Sequence, residues 1–142
     1  VKLQTKIYFE EGSSKIRHER TILEMSNPDA EVEINEYMVA CYGTTEYPED
    51  MTGITLTAKN ASESKSLTYE YKCREEDLAG ADEVSAVIPA IETKAAMGAS
   101  GSDATGYFKE GYAFSPMFTL GYTKTLKDKE VFSTWLSLEK AN

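Results

Sequence analysis

The chain has 142 residues and a formal net charge of −9, from 15 Lys and Arg against 24 Asp and Glu. With 41% apolar and 27% charged residues, it is expected to form one domain. Such a domain buries about 70% of its unfolded surface and needs neither a disulfide framework nor a metal for stability. The acid excess argues against a duplex nucleic-acid binder, which must neutralise phosphates with Lys and Arg, and against docking on an anionic membrane.

No apolar run approaches the ~18 residues of a membrane helix, and the start, Val1 to Lys6, lacks the apolar core of a signal peptide. Removal of an initiator Met or of a signal peptide would equally expose Val1. Leu3, Thr5, Ile7 and Phe9 alternate with Lys2, Gln4, Lys6 and Tyr8. That two-residue period predicts a half-buried strand. A turn over Glu11 to Ser14 comes next. Residues 16–25, with Ile16, Ile22, Leu23 and Met25, predict a less regular strand.

Ser26-Asn27-Pro28-Asp29-Ala30 carries helix-start chemistry: Asn27 as cap, Pro28 at the first position and Asp29 on the dipole. Ala30, Ile34, Met38 and Cys41 succeed it at helical spacing, with Gly43 as terminator. A strand through Val32, Ile34, Tyr37, Val39 and Cys41 competes, and the cap chemistry favours the helix. Residues 43–50 read as a loop. Ile54, Leu56 and Ala58, then Leu67, Tyr69, Tyr71 and Cys73, alternate across the polar turn 60–64 and predict a hairpin.

Arg74 to Asp77 reads as a polar break and Val84 to Ile88 as β-prone. Pro89 to Met97 reads as a short helix closed by Gly98, and Ala99 to Gly106 as an exposed loop. Tyr112, Phe114, Phe118, Leu120 and Tyr122 share one parity. Beyond the turn Lys127 to Glu130, Phe132, Leu136 and Leu138 oppose Val131 and Trp135. This predicts a second hairpin, apolar on both faces, for the middle of a sandwich or a subunit interface. The fold class expected is therefore mainly β (α+β): an antiparallel β-sandwich or barrel over residues 1–142, with two hairpins and one or two short helices.

Charge is uneven along the chain. Residues 1–20 carry +2, residues 21–60 carry −7, residues 61–110 carry −5 and residues 111–142 carry +1. The −12 middle is a solvated acidic face, or a surface that repels polyanions or complements the basic ends of a neighbouring copy.

No motif carries catalytic chemistry. The single histidine, His18, lies in the basic run Lys15-Ile16-Arg17-His18-Glu19-Arg20 and reads as a surface residue rather than a catalytic base. Clustered zinc ligands, a Walker loop and a dinucleotide-binding glycine motif are all missing. The carboxylate groups Glu75-Glu76-Asp77 and Asp82-Glu83 lack the spacing of a calcium loop. No catalytic, cofactor-binding or metal-ligating residue is assigned, and an enzyme is not expected. Cys41 and Cys73 are either two buried thiols or, in an exported protein, one disulfide. Asn60-Ala61-Ser62 fits the glycosylation pattern. The nine tyrosines and Trp135 fit core and interface packing better than a stacking surface for sugars or single strands.

From the central hairpin onward, the order of features resembles the major tail tube proteins of long-tailed, siphovirus-like bacteriophages. The matching features are the hairpin Ile54 to Cys73, the helix Pro89 to Gly98 and the loop Asp103-Ala104-Thr105-Gly106. The aromatic strand Ser115-Pro116-Met117-Phe118-Thr119-Leu120-Gly121-Tyr122 and then Trp135-Leu136 complete the order. The resemblance covers residues 54–138, and the N-terminal part has no counterpart in it. It implies a homo-oligomer of copies of this chain, stacked as hexameric rings in a virion assembled in the host cytoplasm. DNA would pass through the lumen without adhering, past Glu and Asp of the middle segment. The 99–106 loop would touch the next ring and the C-terminal hairpin would lie between subunits. Neither a cofactor nor a membrane enters this expectation. The alternative is an exported, extracellular β-sandwich module that binds carbohydrate or a protein partner, with Cys41 and Cys73 bridged and Asn60 glycosylated.

Overall fold

The computed structural model of the chain describes residues 1–41, 52–70, 75–99, 103–110 and 116–142. These form eleven strands: β1 (Lys2–Phe9), β2 (Lys15–Glu24), β3 (Val32–Cys41), β4 (Thr55–Lys59), β5 (Ser64–Thr68), β6 (Glu75–Ala81), β7 (Glu83–Ile88), β8 (Thr93–Gly98), β9 (Asp103–Glu110), β10 (Pro116–Leu126) and β11 (Val131–Lys140). They pair into a seven-stranded antiparallel sheet, β1-β2-β11-β8-β7-β4-β5, and a four-stranded one, β3-β10-β9-β6. The result is the expected mainly-β sandwich, and the described residues form no closed barrel.

Alternation builds the core. Phe118, Leu120, Tyr122 and Leu126 of β10 all point inward and are buried, as are Ala104 and Phe108 of β9. They meet Leu56, Ala58, Val84, Ala86, Ala95, Met97 and Phe132 from the large sheet. Edge-on aromatic pairs cross the gap, Tyr69 on Phe108 and Tyr122 on Phe132, each with ring centroids 5.2 Å apart. Two tyrosines thus serve the core, as expected. On the outer faces two aromatic rings lie over glycines. Trp135 covers Gly98, where an added Cβ would sit 2.6 Å from the indole, and Tyr37 covers Gly121 at 2.5 Å.

Several local expectations are corrected. The proposed helix after Asn27 is strand β3. The Asn27 side chain does accept a hydrogen bond from the Asp29 N–H at 3.1 Å, and its carbonyl accepts one from Ala30 N–H. This chemistry closes a turn and no more. Residues 32–41 then pair rung by rung with 117–126 of β10, and that ladder overrides local propensity. The helix at Pro89 is one 3-10 turn, Pro89–Ile91, ended by Glu92 in the left-handed region at φ 46°. The Ala-rich remainder is β8, held between β11 and β7.

Glu75 to Asp77 is not a break but the start of β6, paired with β9. Of the expected 99–106 loop, Ala99 and Ala104 are buried, and Asp103 to Gly106 belongs to β9. The C-terminal pair is not a hairpin. Turn Lys127–Glu130, closed by Glu130 N–H on the Lys127 carbonyl at 3.2 Å, carries the chain from one sheet to the other. The central hairpin forms as expected from β4 and β5. The 43–50 loop, Tyr71, Cys73, Tyr112 and Phe114 lie outside the described residues.

Candidate functional site

Strand β2 presents Ile16, His18, Arg20 and Ile22 on its inner face, and β3 presents Val32, Ile34, Glu36 and Met38. Three ionisable side chains therefore sit on otherwise apolar parity and must find partners. They find one another. Glu36 accepts a 2.5 Å hydrogen bond from the Tyr122 hydroxyl, lies 3.0 Å from His18 Nδ1, and is ion-paired with Arg20. Thr134 hydrogen-bonds Tyr122 in turn. The cluster fastens β2, β3, β10 and β11 across the two layers.

Burial alone would raise the Glu36 carboxyl, but the Tyr122 and His18 hydrogen bonds and the Arg20 charge outweigh it and hold the group below the ordinary carboxylate range. Tyr122 moves the other way. Burial, and the hydrogen bond its hydroxyl donates to the Glu36 carboxylate, push the phenol well above its usual range. With its oxygens committed to three donors, Glu36 has the environment of a structural staple rather than of a general base. Arg20 Nη1 is buried without a partner among the described residues.

His18 is thus corrected from a surface residue to part of a largely buried cluster, its side chain 16% exposed. The signal that could have found the cluster lies in the parity: Arg20 and His18 alternate with Ile16 and Ile22, and Glu36 with Ile34 and Met38. Asn60 lies in the β4–β5 turn, where its side-chain oxygen accepts hydrogen bonds from Ser62 N–H, Ser62 Oγ–H and Glu63 N–H, each at 2.9 Å. A cleft of about 440 Å³ opens near the β10–β11 turn, between Glu31, Lys124, Lys127, Glu130 and Phe132. Its charges are satisfied locally, Lys127 Nζ by Glu31 at 3.5 Å and the Glu130 carboxylate by Lys127 N–H at 2.8 Å. Among the described residues, no group of His, Cys, Asp and Glu could hold a metal, and no helix is long and apolar enough to cross a membrane.

The feature most out of keeping with an isolated domain is β1. One hydrogen-bonded row runs Phe9, Ile16, Leu136, Met97, Val84 across the large sheet. Phe9 is 76% exposed, Ile16 and Leu136 are half-buried, and Met97 and Val84 are 3% and 1% exposed. Leu3 and Ile7, on the same face, are 47% and 54% exposed, while Ile22 across from Leu3 is buried. The cover ends at β2 because β3, the last strand of the small sheet, lies over it through the Glu36 contacts. Beyond it β1 forms an apolar ledge whose outer backbone edge pairs with no strand among the described residues.

No protein-family model matches this chain, and no curated protein matches it at a significant level.

Proposed function

We propose that this chain is a structural, self-assembling subunit, whose specific form is the wall of a phage tail tube built from rings around a DNA-conducting lumen. The observation that carries self-assembly is the β1 ledge. Lys2 and Lys6 charge the outer face of this edge strand, but its inner face leaves Leu3, Ile7 and Phe9 exposed together, and a contiguous exposed apolar patch marks an interaction surface. The tube form rests on the order of features from the central hairpin to Trp135, and on the −12 of residues 21–110. A wall of that sign repels phosphates and forms no counterion-releasing contact, so DNA slides past it. Asp103 to Gly106 is part of a sandwich strand, so contacts between rings would come from other segments. Light scattering with negative-stain imaging tests the reading. Rings or tubes are expected, and a strict monomer at high concentration overturns it.

One observation favours a second reading, an exported binding module: Asn60 occupies a turn whose next four residues are exposed, where a glycosylation acceptor belongs. Intact mass with and without reductant tests it. Two free thiols and no added sugar count against it.

A further inference from the structure

Strands β1 and β3 end their sheets on the same side of the sandwich, and β1 projects one strand further. Among the described residues, there is therefore a gap one strand wide beside β3 and above the inner face of β1. Its floor is Leu3, Ile7 and Phe9, and its side is the backbone edge of β3 that pairs with no strand among the described residues. Resting on the self-assembly reading above, we infer that a second copy of this chain fills the gap: its β1 extends this β3, and its Leu3, Ile7 and Phe9 pack on the same three residues here.

The chemistry matches on both faces. Inward, the apolar row of β1 would continue the row Val32, Ile34 and Met38 of β3, all packed on the core. Outward, Lys2 and Lys6 of β1 would lie beside Glu31 and Glu33, which precede and begin the outer row of β3. There they would share or exchange the solvent-accessible pairs that Lys6 makes with Glu19 at 3.9 Å and Glu31 with Lys127 at 3.5 Å. Opposite charges on neighbouring strands are favourable and like charges are not. Pairing β1 with β1 edge to edge would set the lysines against themselves, so the basic edge selects the acidic one. Keeping inner faces together also makes the union reciprocal. When the second copy's β1 lies on this β3, this β1 lies on the second copy's β3, and the pair is two-fold and isologous. Among the described residues, edges β5 and β6 at the far side stay open, so any assembly larger than the pair would use surfaces other than β1 and β3.

Sedimentation of the full chain across a concentration series tests the pairing. Ile7→Glu with Phe9→Glu places charge on the ledge and is expected to weaken association about tenfold or more, with the thermal melt of the monomer preserved because both side chains are exposed. Two charge-reversed chains, Lys2→Glu/Lys6→Glu and Glu31→Lys/Glu33→Lys, should each associate poorly alone. Mixed together they should pair, because every contact of the reciprocal union is again between opposite charges. A wild type that assembles while these variants assemble equally well overturns the β1–β3 pairing and leaves self-assembly standing. A mixture that stays apart also overturns it. A wild type monomeric at every concentration overturns both.

Discussion

Replacing Glu36 by Gln removes one charge from the cluster and leaves its shape nearly unchanged. The Arg20 and Glu36 side chains are 11% and 20% exposed, so their pairing is largely shielded from water. Deleting one partner of a buried ion pair costs about 3–5 kcal/mol, because the other charge is left stranded. Gln retains a carbonyl for the Tyr122 hydroxyl and the site keeps some solvent, so the low end applies: about 3 kcal/mol. With a urea slope of about 2 kcal/mol/M, the unfolding midpoint should fall by about 1.5 M. Trp135, the only tryptophan, reports the transition by fluorescence, at one fixed protein concentration since association would shift it.

Acid titration adds a signed test. The folded Glu36 carboxyl is held below its ordinary value of 4.5. Its contribution to stability is therefore complete above that pH, and is lost as the pH falls through the depressed folded value. The gap between wild type and Glu36→Gln should close over that acidic window. A loss below about 0.5 kcal/mol at neutral pH, the range of ordinary surface substitutions, would refute the account of the cluster as a staple.

Other consequences are as direct. The folded pKa of Tyr122 is raised, so the protonated phenol stabilises the fold below pH ~10 and that contribution is lost as the pH climbs beyond. In an alkaline absorbance titration, Tyr122→Phe should leave the phenolate amplitude of the folded chain unchanged and reduce only the amplitude released on unfolding. Gly98→Ala drives a methyl group into the Trp135 ring. The expected penalty is about 1–3 kcal/mol, with a shift in Trp135 emission as the indole lifts from the sheet, and an unchanged emission maximum would contradict the contact.

Where a strand is apolar on one face and its partner is adjacent in sequence, alternation alone locates it, whether or not that face ends up buried. Leu3 to Phe9 and the Ile54–Tyr69 hairpin are of this kind, because the period of two is a property of the local backbone. Asn27 and Pro89 mislead for a physical reason. Side chains that cap a helix equally close a turn, and the path of the chain beyond it depends on whether a distant strand offers a ladder. Strand β3 finds β10, some 80 residues away, and β8 finds β11 and β7. The turn at Lys127–Glu130 is legible as a turn, but a tight turn can join paired strands or pass between layers. Leu126 and Phe132 both face inward, and the layered packing that achieves this settles the choice.

The sequence by itself determined that this is an acidic, mainly-β chain with its negative charge concentrated between residues 21 and 110, since composition and period are local quantities. Only the tertiary structure decided that His18, Arg20 and Glu36 form one buried cluster, and that the apolar face of β1 stays uncovered. Both depend on β3 lying over β2 and stopping there, a contact between segments whose own residues carry no record of each other.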